Sequence, residues 1–163
     1  MTDDVDGKLD EIFNALAEKQ AAAARRQQET EIKQDATLQE FNALKETLIR
    51  PTLEGLAQKL SGRGHASKVF ETEEGGPGNG STRDARVGIR FLFDEKALNG
   101  RDSEYPHLTL ALDKSAGKIQ FYSSTMSPGK GGSAGGAGSV DLGSLTQELI
   151  NQKALKIIAE VYK

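Results

Sequence analysis

From Lys8 to Arg50 the chain contains neither proline nor glycine, and most of its residues are good helix formers. Within it, "KQAAAARRQQETEIKQDATLQ", residues 19–39, is nearly empty of large apolar side chains. The segment predicts one uninterrupted helix of about 45 residues, which at ~1.5 Å per residue would span ~65–70 Å. Packing of an amphipathic face, more than propensity, is what stabilises a helix. A helix this long needs a surface to pack on.

A heptad frame supplies one. With position a at Asp6, Phe13, Gln20, Gln27, Gln34, Phe41 and Leu48, position d falls at Leu9, Leu16, Ala23, Thr30, Thr37 and Leu44. Both ends of this seam are apolar and its middle is Gln, Ala and Thr. A 3.5-residue period held over many turns is the pattern of a left-handed coiled coil. The expected homo-oligomer interface is Leu9, Phe13, Leu16, Gln20, Ala23, Gln27, Thr30, Gln34, Thr37, Phe41, Leu44 and Leu48. Its apolar ends would supply association energy and its polar layers would fix register. Arg26 with Glu31 and Glu40 with Lys45 are g–e′ pairs of opposite sign in a parallel register. A dimer is the first expectation. Val5, Ile12 and Leu38 widen the stripe enough for a trimer, or for a head domain resting on the base of the stalk.

Composition changes at Pro51. All four prolines and seventeen of the eighteen glycines lie from there onward, as do most β-forming residues. Residues 1–50 are thus expected to form an oligomerisation stalk, and residues 51–163 an α+β head. Proline disfavours helical geometry in the residue before it, so the long helix should end or kink at Arg50. A short helix with Leu53, Leu56, Ala57 and Leu60 on one face follows. Four strands come next: "HASKVFE", "ARVGIRFLF", "HLTLALD" and "KIQFYSS". Val87, Ile89, Phe91 and Phe93 alternate on the second, Leu108, Leu110 and Leu112 on the third, and Ile119 and Phe121 on the fourth. A last helix is expected from Ser144 to Tyr162, with Ser144 and Gln147 as a capping box and Leu145, Leu149, Leu155, Ile158 and Tyr162 as its apolar stripe. The fold class is α+β: a long coiled-coil helix, then a four-stranded, mostly antiparallel sheet with helices on one face.

A coiled coil followed by helix, four strands and helix resembles the RWD-type heads of kinetochore proteins. Tyr105–Pro106 before an apolar strand is the local echo, while Leu110 stands where a longer YPxxxP pattern would place its second proline. The resemblance is one of topology, which carries no function by itself.

Several chemistries are excluded or unsupported. The chain has no cysteine, which removes thiolate catalysis, disulfides and thiolate metal sites. No apolar run approaches the ~20 residues of a membrane span, and "MTDDVDGKLDE" is acidic where a signal peptide is basic, so a cytoplasmic protein is expected. The first fifty residues carry −4 and the remainder +1, within a net charge of −3. Neither part has the basic excess of a general nucleic-acid binder.

Residues 127–139, "SPGKGGSAGGAGS", invite a phosphate-loop interpretation. The P-loop pattern fails, because Ser124 and Gly131 occupy the positions of the first glycine and the final Ser or Thr. A flexible connector is expected instead. His65 and His107 lack the spacing of a metal site or acid–base pair, and no nucleophile–base pair is visible. No cofactor, metal ligand or catalytic residue is assigned.

The best candidate ligand site is the outward sheet face, which alternation assigns to Arg86, Arg90, His107, Thr109, Gln120 and Tyr122. Such a face suits an acidic peptide, another anion or single-stranded nucleic acid. A polar outer face is also what an antiparallel sheet shows to water. The sequence therefore points to a non-catalytic homo-oligomeric adaptor, scaffold or assembly protein with a protein partner. The alternative is an anion-, acidic-peptide- or nucleic-acid-binding domain using that face.

Overall fold

A computed structural model describes residues 2–72, 85–93, 105–127 and 132–162. Helix α1 runs Thr2–Leu44, a π-helical turn occupies Lys45–Ile49, and α2 covers Arg50–Ser61. Strands β1 (Ala66–Thr72), β2 (Arg86–Phe93), β3 (His107–Asp113), β4 (Lys118–Ser124) and β5 (Ala134–Asp141) follow, and α3 (Gln147–Val161) ends the order. All strand pairs are antiparallel and consecutive in space, β1-β2-β3-β4-β5. The α+β class holds. The sheet has five strands where the sequence suggested four, which also departs from the four-stranded RWD-type pattern.

The fifth strand comes from the run expected to be a flexible connector. Residues 128–131 of that run lie outside the described residues, but Ala134–Asp141 pairs with β4 along its length. Thr125 N–H donates to the Ser133 carbonyl at 2.8 Å, and Ser133 N–H returns a bond to Thr125 Oγ1 at 3.2 Å. Strand pairing is made by the backbone, so a segment poor in large side chains can extend a sheet already nucleated by its neighbours. Side-chain periodicity carries no trace of it.

Pro51 does not stop the helical path. Proline has no N–H for the carbonyl four residues back, and its ring collides with that carbonyl in a regular α-helix. The strain falls on the preceding turn: Arg50 N–H reaches the Lys45 carbonyl, five residues back, and widens it into a π-turn. The helix resumes with the proline in its first turn. Arg50 then ties α2 to β1, with Nη1 at 3.0 Å from Glu71 of β1 and Nη2 at 3.3 Å from Glu54 of its own helix. The Glu71 charge is the main cause of the guanidinium's raised pKa. Glu71 also lies 3.9 Å from Lys45.

The chain separates into two units, residues through Ala36 and residues from Thr37 onward. The second unit contains the core. Val87, Ile89, Phe91, Leu108, Leu110, Leu112, Ile119 and Phe121 form the inner face of the sheet and are buried. Leu53, Ile150, Ala154 and Ile157 from α2 and α3 close over them, together with Phe41 and Ile49. Phe41 is 0% exposed, and Leu38, Leu44 and Leu48 pack against the same cluster. The last apolar layers of the heptad are therefore used inside the chain, and the head begins near Thr37 rather than at Pro51. Heptad spacing identifies an apolar stripe but not what covers it.

Helix α3 also differs from expectation. Ser144 belongs to a 3₁₀ turn, Leu142–Ser144, which puts Leu142 and Leu145 into the core. Thr146 is the true N-cap and accepts from Leu149 N–H at 3.2 Å. Starting the helix at Gln147 leaves Ile150, Ala154 and Ile157 facing inward and Leu155 exposed.

If Phe41 belongs to the head core, Phe41→Ala should lower the unfolding free energy of the full chain by roughly 3 kcal/mol or more. Urea unfolding followed by far-ultraviolet circular dichroism measures this. An unchanged midpoint with weakened self-association would place the ring in an intermolecular seam instead.

Candidate functional site

Register alone assembles the outer face of the sheet. One row across the strands reads Thr72, Arg86, Ala111, Gln120 and Ser139; the next reads Phe70, Gly88, Thr109, Tyr122 and Gly136; a third reads Lys68, Arg90, His107, Ser124 and Ala134. All six residues assigned to this face by alternation lie on it. Phe70 joins them. The Val69–Phe70 doublet implies as much, since adjacent strand residues point to opposite faces and only one can be inside.

Phe70 and Tyr122 each lie under an arginine. The Arg90 guanidinium sits 4.1 Å from the Phe70 ring centroid, and that of Arg86 sits 5.8 Å from the Tyr122 centroid. A planar guanidinium over a ring gains a cation–π attraction. Gly88 makes room for the first stack: a Cβ there would lie 2.6 Å from the Phe70 ring and 2.4 Å from the Leu108 carbonyl oxygen. Thr109, Ala111 and Ser124 are buried on this side, so the face is not the open, solvated surface that a polar pattern suggests. Tyr122 remains 39% exposed.

His107 Nδ1 lies 3.1 Å from Thr109 Oγ1. Burial first, and the Arg90 charge second, hold the imidazole below its ordinary pKa of 6.5. His65 is elsewhere, its ring 4.7 Å from that of Tyr162. The two histidines have separate packing partners.

The residues of the expected heptad seam divide three ways. Leu9, Phe13, Leu16, Gln20, Ala23, Gln27 and Thr30 are exposed, Gln34, Thr37, Leu44 and Leu48 are half-buried, and Phe41 is buried. Two polar seam residues bond within their own helix: Gln27 donates to Glu31 at 3.5 Å, and Thr30 donates to the Arg26 carbonyl at 2.9 Å. Asp4 and Lys8 form an i,i+4 pair at 3.6 Å.

A second concavity has no sequence signal. Between α3 and the β4–β5 edge lies a cavity of about 460 Å³, lined by Ser123, Thr125, Ser133, Gly136, Ala137, Lys153, Lys156, Ile157 and Glu160. Ala137 and Gly138 together oppose Phe121, forming a β-bulge, and Gly138 takes a φ of +101° that favours glycine. Lys153 Nζ donates to the Ala137 carbonyl and lies 5.5 Å from the Phe121 ring centroid. Compared with protein-family models, curated proteins and solved structures, the chain matches none. No helix among the described residues is long and apolar enough to cross a membrane.

Two outcomes test this geometry. Gly88→Ala should destabilise the head by about 1–3 kcal/mol, because the added methyl meets backbone as well as the Phe70 ring; an unshifted melting temperature would contradict the close approach. The second concerns pH. Because the folded His107 pKa is depressed, the unfolded chain binds more protons between that value and 6.5. Its contribution is therefore present above 6.5 and lost as pH falls through the folded pKa. The urea midpoint should drop between about pH 7.5 and about pH 5, and His107→Gln should flatten that drop. Equal slopes in the two proteins would remove His107 as its source.

Proposed function

We propose that the chain is a non-catalytic homo-oligomeric adaptor, scaffold or assembly protein that joins copies through its N-terminal helix and carries an α+β head. The observation supporting this is the apolar stripe of the first unit. Val5, Leu9, Ile12, Phe13 and Leu16 recur at helical spacing and are 43–60% exposed. Contiguous exposed apolar surface of this kind marks an interaction site. A second copy is the economical occupant, because the same heptad aligns apolar with apolar and Arg26 with Glu31 in register. Since Phe41 is buried in the head, the association energy falls on the N-terminal layers, and the Gln and Thr layers carry register only.

A second proposal rests on the outer sheet face, where Arg86 and Arg90 are held on aromatic rings with Tyr122 partly exposed. That arrangement suits a carboxylate or other anion arriving on the sheet.

Light scattering of the full-length chain tests the first proposal. A dimer or trimer mass is expected at high micromolar concentration, and Phe13→Glu combined with Leu16→Glu should return it to monomer with the melting temperature of the head unchanged. A monomeric wild type, or an oligomer insensitive to those substitutions, would reject association through this stripe.

A further inference from the structure

We propose that the outer edge of β5, together with the cavity beside α3, is a docking groove for an extended acidic peptide that adds a sixth strand to the sheet. The proposal deepens the adaptor function by naming what the head would take, and it does not depend on self-association.

Backbone geometry comes first. Thr125 N–H bonds the Ser133 carbonyl, so Ser133 points its polar backbone groups at β4. Antiparallel pairing alternates, and Gly135, opposite Ser123, therefore faces β4 as well. Ala134 and Gly136 then direct their N–H and C=O groups away from the sheet. No described residue pairs with that outer edge. Unpaired edges template further strands, and proteins usually blunt them with charge or proline. The opposite edge strand, β1, carries Lys68 and Glu71. Strand β5 has no proline and no charge before Asp141, and its glycines and alanines leave the backbone open to approach.

Side-chain chemistry narrows the partner. An added strand sends alternate side chains to opposite faces, so one set would point toward the cavity on the helix side. Lys153 and Lys156 line that cavity with hydroxyls of Ser123, Thr125 and Ser133, against the single carboxylate of Glu160. Lys156 makes no hydrogen bond or ion pair with any described residue and is exposed. The donor-rich lining calls for an Asp or Glu side chain on the incoming strand. The run that can pair is short, because the bulge at Ala137 and Gly138 bends β5 and Lys153 holds the Ala137 carbonyl. Main-chain bonds near Ala134–Gly136 would give affinity, and the cavity would give selectivity.

The test uses the full chain and a displayed library of random octapeptides, selected in parallel on wild type and on Gly136→Pro. Proline at 136 removes an N–H that points away from β4, a position edge strands tolerate, so folding should survive. Circular dichroism of the variant checks that it does. Wild type should enrich a class of peptides bearing Asp or Glu that Gly136→Pro does not retain, and Lys156→Glu should weaken a peptide of that class by about tenfold or more. Hydrogen exchange should show the same peptide protecting the Ala134 and Gly136 amides. No enrichment on wild type, or retention of every enriched peptide on Gly136→Pro, would overturn the groove. Protection of those amides by protein concentration alone would mean that the edge pairs with a second copy, and would overturn it too. Light scattering of the same samples reads self-association separately, so failure of one proposal is distinguishable from failure of the other.

Discussion

The apolar inner face of the sheet must be covered, and the way it is covered sets the rest of this protein. β2, β3 and β4 present a layer of Val, Ile, Leu and Phe that would be unstable against water. α2 and α3 cover part of it. Phe41 and Ile49 are recruited as well, although they precede the proline at which composition changes. Once they are committed to the head, the helix cannot break at Arg50 without withdrawing Ile49 from the core. The backbone therefore passes Pro51 through a π-turn, and Arg50 is brought to Glu71 on β1.

The same requirement divides the heptad. A seam that is continuous in sequence serves two purposes, closing the head core near Phe41 and leaving Leu9, Phe13 and Leu16 exposed in the first unit. Between them lie Gln and Thr residues, two of which already bond along their own helix. Polar layers flanked by apolar ones discriminate registers better than they stabilise them. Only the N-terminal apolar layers remain outside the head core.

Function in the head depends on surfaces that the core does not consume. The outer face places cations on aromatic rings, and this works because Gly88 lets the Phe70 ring lie against the strand. The β5 edge offers the opposite resource, backbone with almost no side chains, beside a cavity carrying lysines. The first is a surface of side chains and the second a surface of main chain, on different parts of the same sheet.

Periodicity determined much of this chain by itself. The alternation of Val87, Ile89 and Phe91, of Leu108, Leu110 and Leu112, and of Ile119 and Phe121 fixed three strands and their inward faces, because a two-residue period has one buried solution. It also put Arg86, Arg90, His107, Thr109, Gln120 and Tyr122 on one side. The glycine-free N-terminal stretch determined a long helix. Tertiary structure decided what periodicity cannot express. β5 exists because β4 offers an edge to its backbone, Thr146 caps α3 because the 3₁₀ turn before it places Leu142 and Leu145 in the core, and Phe41 is internal because it helps cover the sheet. The α3 cavity joins residues from β4, β5 and α3: Lys153 and Lys156 are neighbours on one helix, but only the fold sets them beside Ser123, Thr125 and Ser133. Contacts between segments far apart in sequence leave no local pattern, and the fold alone brings those groups together.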